Sequence, residues 1–250
     1  MSGHSKWSQI KRQKGVTDVK RGQAFTKLGR EIAVAARTGG PNLEMNARLR
    51  LAVERARAAN MPVDTIDRAI KRATGATAEG TLDEITYEGY GPGGAALLIE
   101  VLTDNRKRAV AEVRNAFTRA GGSLAEAGAV AWLFQQRGVL TIESPSQDPD
   151  EIGLMAIDAG AEDVRVDDDM VEIFTAPTDL EAVRSSLGEA HVEVTSAEVA
   201  MIPNTTLALD GHHTISTLRL MERLEDLDDV QKVYTNIEIS EEAVAAYAEA

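Results

Sequence analysis

Residues 138–202 read GVLTIESPSQDPDEIGLMAIDAGAEDVRVDDDMVEIFTAPTDLEAVRSSLGEAHVEVTSAEVAMI. Two periodicities alternate along this stretch. Val139–Glu143, Asp163–Val166, Met170–Thr175 and Val192–Ile202 are strand-length runs rich in β-branched residues. Pro149–Ala159 and Thr178–Leu187 instead repeat apolar residues at helical steps. The resulting order, βαββαβ, is the split ferredoxin-like arrangement and is complete by itself. Asp167-Asp168-Asp169 falls between two strands, where a β-turn explains it better than acid–base chemistry.

The segments flanking this unit are each incomplete. Upstream, Leu82–Glu88 and Ala95–Leu102 read as strands, Arg106–Ala120 as a helix and Ala129–Gln135 as a further strand. Downstream, Thr214–Leu227 reads as a helix and Val230–Ile239 as a strand, the αβ pair that the upstream ββαβ run lacks. A discontinuous middle domain, residues 79–136 plus 204–250, interrupted by an inserted domain at 137–203, follows from that arithmetic. Glu241–Ala250 reads as a short terminal helix, and no fixed-period repeat is present.

Residues 1–78 have a different character. A helix is expected at Val19–Thr38, with Phe25, Leu28, Ile32 and Ala35 on one face and Gly39-Gly40-Pro41 stopping it. A second at Met45–Ala59 buries Leu49, Ala52, Val53 and Ala56 between arginine flanks, Arg48 and Arg55 on one side and Arg50 and Arg57 on the other. A third, after Pro62, turns Ile66, Ala69, Ile70 and Ala73 inward. The fold class is therefore α+β multidomain: a basic three-helix domain, then two α/β domains of ferredoxin-like character, the last inserted into the second.

Charge divides the chain in the same place. Residues 1–80 hold 16 Lys and Arg against 7 Asp and Glu, a net of +9, inside a chain whose total is −13. Such polarity is expected of a molecule with one end seeking a polyanion and the other repelling it. Cations near phosphates release counterions and give affinity without sequence preference. The predicted nucleic-acid contacts are Lys6, Trp7, Lys11, Arg12, Lys14, Lys20, Arg21, Lys27, Arg30, Arg37, Arg48, Arg50, Arg55, Arg68, Lys71 and Arg72. Trp7 could stack on a base or dock on the bundle, and its polar segment, residues 1–18, is expected to order on a partner.

Two further stretches are candidates for a second RNA or anion site. In Thr103-Asp104-Asn105-Arg106-Lys107-Arg108, three cations crowd a helix N-terminus, where the dipole disfavours them and a phosphate would reverse the penalty. Tyr90-Gly91-Pro92-Gly93-Gly94 lies between strands rather than between a strand and a helix, so it is not a nucleotide-binding loop. It reads either as a plain hairpin tip or as a projecting probe.

Enzymatic signals are poor. His4, His191, His212 and His213 have no metal-ligand spacing, the adjacent pair being unable to face one ion on a regular element, and no Gly-x-Ser-x-Gly elbow occurs. The chain has no cysteine, which excludes disulfides and thiolate metal sites. No apolar run reaches the roughly 18 residues that span a bilayer. These readings describe a cytoplasmic monomer without enzymatic activity, cofactor, metal or membrane partner.

The strings SGHSKWSQIKRQKGVTDVKRGQAFTKLGREIAVAARTGG, NARLRLAVERARAANMP, DRAIKRATG, YEGYGPGGAALLIEVLTDNRKR and AVAWLFQQRGVL are similar to the YebC family, across essentially the whole chain. That family includes PmpR-type regulators and the mitochondrial translational activator of cytochrome oxidase subunit I. The resemblance implies a three-domain architecture and one of two roles: a DNA-binding transcriptional regulator, or a ribosome-associated factor relieving stalling at proline-rich stretches. Because the charge is spread over several helices and none resembles a groove-reading helix, ribosomal RNA is the favoured partner and promoter DNA the alternative. The stretch PNLEMNAR departs from the family, where an Asp-Pro is expected.

Overall fold

A computed structural model describes residues 6, 7, 10, 18–75, 82–143, 147–167 and 170–249. Helix α1 (Asp18–Gly39) is followed by α2 (Ala47–Ala58) and α3 (Val63–Thr74). Their predicted stripes meet in one core built from Ile32, Ala35, Leu49, Ala52, Val53, Ala56, Ile66 and Ala73. The corner between the first two helices is fastened by a residue the hydrophobic pattern does not mark. Buried Asn46 caps α2 by accepting from the Leu49 N–H at 3.0 Å and donates to the Ala35 and Gly40 carbonyls, each at 2.8 Å. A side chain on Gly39 would strike Asn46 at 2.6 Å, so the close approach requires glycine there.

Two four-stranded antiparallel sheets follow. Strands β1 (Asp83–Tyr90), β2 (Ala96–Thr103), β3 (Ser123–Ala125) and β8 (Val230–Thr235) form the first, in the order β3-β1-β2-β8. Strands β4 (Phe134–Glu143), β5 (Asp163–Asp167), β6 (Met170–Thr175) and β7 (Ser196–Pro203) form the second, in the order β5-β6-β4-β7. With α5 (Pro149–Asp158) and α6 (Leu180–Glu189), the second sheet is the βαββαβ unit, inserted between the parts of the first. Helices α4 (Arg106–Arg119), α7 (Gly211–Glu225) and α8 (Glu241–Glu249) belong with the first sheet.

Alternation along the strands decides the layering. In β2, Leu97, Ile99 and Val101 meet Val113 and Phe117 of α4 and Leu218 and Met221 of α7. The opposite face, Ala96 and Leu98, meets Val139, Phe174, Ala200 and Ile202 of the second sheet. That sheet turns Leu140, Ile142, Val171 and Ile173 toward α5 and α6. The order is helices, sheet, sheet, helices, and β2 is consequently buried along nearly its whole length.

Two expected strands take other forms. Ala129–Gln135 is not a strand of the first sheet, whose short third strand is β3. The backbone N–H groups of Gly128, Val130 and Ala131 bond to the Glu88 carboxylate instead of a neighbouring strand. A 3-10 turn at Ala131–Leu133 follows, and Phe134 enters the second sheet opposite Pro203. β8 ends at Thr235, not Ile239, because the Asn236 side chain takes over the bonding and accepts from the Ala96 N–H at 2.9 Å.

Candidate nucleic-acid interface

The cationic face of α1 meets the protein's own carboxylates and carbonyls. Lys27 donates to the carbonyl of Glu225, among the last of α7, where unpaired carbonyls and the helix dipole attract a cation. Arg30 donates to the Asp228 carbonyl at 2.6 Å and pairs with Asp229 at 2.7 Å. Arg48 makes a bidentate pair with Glu84, at 2.9 and 3.1 Å. Arg55 pairs with Glu31 and approaches Glu198 at 3.9 Å, and Arg50 donates to the Leu43 carbonyl at 3.1 Å. From the inserted domain, Arg184 reaches Glu54 at 2.6 Å. The acidic run Leu224-Glu225-Asp226-Leu227-Asp228-Asp229 thus docks α1 through Lys27 and Arg30, a role its charge could have signalled and which sequence reading missed.

Asp229 is the centre of this dock. Its side chain is only 3% exposed, and it accepts from Arg30, from Arg108 at 2.8 Å and from the Thr103 hydroxyl at 2.8 Å. Burial works against its charge, but the hydrogen bonds from Arg108 and Thr103 and the two guanidiniums outweigh it and hold the carboxyl below the usual carboxylate range. The cations at the start of α4 therefore have internal counter-charges: Arg108 has Asp229 and Asp104, and Arg106 has Asp83 at 2.7 Å. Both guanidiniums are pushed up by these bonds. Asn105 caps the helix by accepting from the Arg108 N–H, whereas exposed Lys107 has no ion pair among the described residues.

Trp7 neither projects nor docks on the bundle. It is 2% exposed, within the core of the first sheet and its helices, edge-on to Tyr247 at 5.9 Å, and its indole N–H donates to Glu225 at 3.1 Å. Ile10 is buried in the same core. Lys6 is half-buried, while Lys11, Arg12, Lys14 and the side chain of Lys20 lie outside the described residues. Arg21 and Arg37 are exposed, each with a partner of its own. What stays open in the predicted region is Arg57 near the end of α2 and Arg68, Lys71 and Arg72 on one face of α3: all four are exposed and have no ion pair among the described residues. Arg57 was outside the predicted set.

The glycine-rich turn is seated rather than projecting. Tyr90 belongs to β1, and its hydroxyl donates to the Ala129 carbonyl at 3.2 Å. Pro92–Gly94 form a 3-10 turn packed on α7, with the Thr217 hydroxyl donating to the Pro92 carbonyl at 3.4 Å. Gly93 adopts φ +68, and a Cβ there would meet Leu209 at 2.8 Å and His213 at 3.1 Å. Gly91 is buried and Gly94 is exposed. Glu88, beneath this turn, is buried with three N–H donors at 2.6 to 2.8 Å. Burial opposes its charge, yet those backbone bonds win and keep its carboxyl below the ordinary range.

His212 and His213 do come close to one point, contrary to the expectation for adjacent residues. In the first turn of α7, their ring nitrogens and the Asp210 carboxylate lie within 4.8 Å of one another. Asp210 caps the helix through the His213 N–H at 2.8 Å and bonds the His213 ring at 2.7 Å, which accounts for the grouping without an ion. No helix among the described residues is long and apolar enough to cross a membrane.

Comparison with known proteins supplies an independent line. A family model described as the TACO1/YebC protein N-terminal domain matches residues 5–76, and one described as the TACO1/YebC second and third domain matches residues 82–237. A protein of Herpetosiphon aurantiacus named "Probable transcriptional regulatory protein" is 52% identical, over 100% of this chain and 99% of its own length. One of Moorella thermoacetica with the same name is 54% identical, over 96% of each chain. The crystal structure of Aq1575 from Aquifex aeolicus, titled a conserved hypothetical protein, superposes with a TM-score of 0.82 at 41% identity, covering 90% of this chain and 93% of that one.

Proposed function

We propose, from the premise that this chain belongs to the TACO1/YebC family, that it is a non-enzymatic nucleic-acid-binding regulator of gene expression. Its exposed contact surface is the patch Arg57, Arg68, Lys71 and Arg72. One observation carries the reading. These four cations of the positively charged helical domain have no carboxylate partner among the described residues, whereas Arg30, Arg48 and Arg55 do. Phosphates supply the missing counter-charge.

The finer reading is ribosomal RNA, contacted by a ribosome-associated translation factor that helps relieve stalling at proline-rich stretches. The exposed face of α3 offers Arg68, Lys71 and Arg72 beside Asp64 and Asp67, a cation array suited to gripping the phosphate backbone of an RNA without sequence preference. The names of the relatives from Herpetosiphon and Moorella favour the second reading, a DNA-binding transcriptional regulator.

Sedimentation of the full chain with ribosomes through sucrose gradients, at low and moderate salt, separates the two. Co-sedimentation that weakens with salt and is lost in Arg68→Glu/Lys71→Glu/Arg72→Glu is the expected result. Absence from ribosomal particles at low salt, with gel-shift discrimination between an operator and random duplex, overturns the RNA reading in favour of DNA.

A further inference from the structure

Two aromatic rings are presented to solvent where the chain passes between the sheets. Trp132 is 70% exposed and Tyr90 is 41% exposed. Single exposed hydrophobics are ordinary. These two are distinguished by how they are held. The Trp132 indole N–H donates to the Ala129 carbonyl at 3.1 Å, and the Tyr90 hydroxyl donates to the same oxygen at 3.2 Å.

That oxygen is itself fixed. It lies in the segment whose N–H groups converge on buried Glu88, and the N–H of Asn204, on the returning link, holds the neighbouring Leu133 carbonyl at 2.8 Å. The Tyr90 backbone is clamped between Ala96 and Ser123, and a side chain at Gly122 would come within 2.5 Å of its carbonyl. The indole N–H is committed and the Tyr90 hydroxyl keeps only its acceptor lone pairs, so the rings offer a ligand chiefly their π-faces and edges. Their ordering is complete before any ligand arrives, which lowers the entropic cost of binding.

Resting on the nucleic-acid-binding reading above, we infer that Tyr90 and Trp132 form a stacking platform for unpaired nucleobases of single-stranded RNA. Every base has a π-face, so such a platform tolerates any sequence. The surroundings fit a base better than a protein side chain. Gln135, Gln136 and Asn204 are exposed polar neighbours in sequence or by contact, whereas the exposed aliphatics Val63, Leu154, Ile157 and Val166 lie on α3, α5 and β5. Arg119, exposed at the end of α4, precedes the Gly121–Gly122 corner that packs on the Tyr90 backbone and places a cation near the path of a bound strand.

The test uses the full chain, a short fluorescein-labelled oligouridylate and a duplex RNA of similar length. The chain has two tryptophans, and Trp7 is buried, so saturable quenching by oligouridylate reports on Trp132. Trp132→Ala and Tyr90→Ala are each expected to weaken oligouridylate binding about tenfold, as loss of one stacked base does, with duplex affinity unchanged. Trp132→Phe and Tyr90→Phe keep a ring but lose its bond to the Ala129 carbonyl, and are expected to bind oligouridylate between the parent and the alanine variants. Wild-type affinity for oligouridylate in Trp132→Ala, alongside intact duplex binding, overturns the platform alone. Loss of a co-purifying protein with RNA binding untouched overturns it too, in favour of a protein interface. If the unaltered chain binds no nucleic acid of any kind, the functional proposal and the platform fall together.

Discussion

Replacing Asp229 by asparagine removes one charge from the dock that joins the helical domain to the first sheet and keeps the side chain's size. The carboxylate holds Arg30 at 2.7 Å, Arg108 at 2.8 Å and the Thr103 hydroxyl at 2.8 Å, from a position 3% exposed. Breaking a buried pair costs roughly 3 to 5 kcal/mol when the surviving charge is enclosed. Arg30 retains 22% of its side-chain exposure, so water recovers part of that loss and a cost of about 2 to 3 kcal/mol is expected. At roughly 2 to 4 °C per kcal/mol, the melting temperature should fall by about 5 to 10 °C at neutral pH.

The pH dependence has a definite sign. Because the folded carboxyl sits below its unfolded value, its stabilisation is complete above about pH 4 and is lost as pH falls through the folded value. The gap between parent and Asp229→Asn should therefore narrow only in acid. A second readout bears on function. Arg30 keeps its bond to the Asp228 carbonyl, so RNA affinity at low salt should rise by no more than in Asp158→Asn, which removes an exposed charge elsewhere. A melting temperature within about 1 °C of the parent at neutral pH would refute the idea that this carboxylate holds the domains together.

Glu88→Gln should destabilise by about 2 kcal/mol, because one amide oxygen cannot replace a carboxylate accepting from three N–H groups, and faster hydrogen exchange at Gly128, Val130 and Ala131 is the direct check. Gly93→Ala should cost more than Gly94→Ala in thermal melts: both positions have positive φ, worth about 1 to 3 kcal/mol for a side chain, but only the first also collides with Leu209 and His213. Trp7→Ala should cost about 3 to 5 kcal/mol, since an enclosed indole leaves a cavity, and its loss should remove the blue-shifted part of the emission while leaving that of exposed Trp132. Near-parental stability in Trp7→Ala would contradict the burial described for this residue.

Much of the fold is legible from one dimension because short-range periodicity reports burial. Ile32, Leu49 and Ile66 stand at helical steps, and each lies in the helical core; Leu140, Ile142, Val171 and Ile173 alternate, and all four face α5 and α6. The reading failed where a distant side chain replaced a strand partner. Glu88 captures the N–H groups of residues 128, 130 and 131, some 40 positions later, and nothing local in that apolar run announces it. The same limit applies to Trp132, which sits inside the stretch expected to be a strand, lies instead in a 3-10 turn and is 70% exposed.

What sequence alone determined was the kind and order of the elements and the excess of positive charge at one end, since both follow from residue types and spacings along the chain. What only tertiary structure decided was where that charge goes. Each cation on α1 had two possible counter-charges, an external phosphate or an internal carboxylate, with the same local pattern for both. Folding brought Asp229 and the end of α7 to Lys27 and Arg30, and it left Arg57, Arg68, Lys71 and Arg72 facing solvent. Electrostatic partners are chosen by distance in space, and in this chain Arg30 and Asp229 are separated by 199 residues.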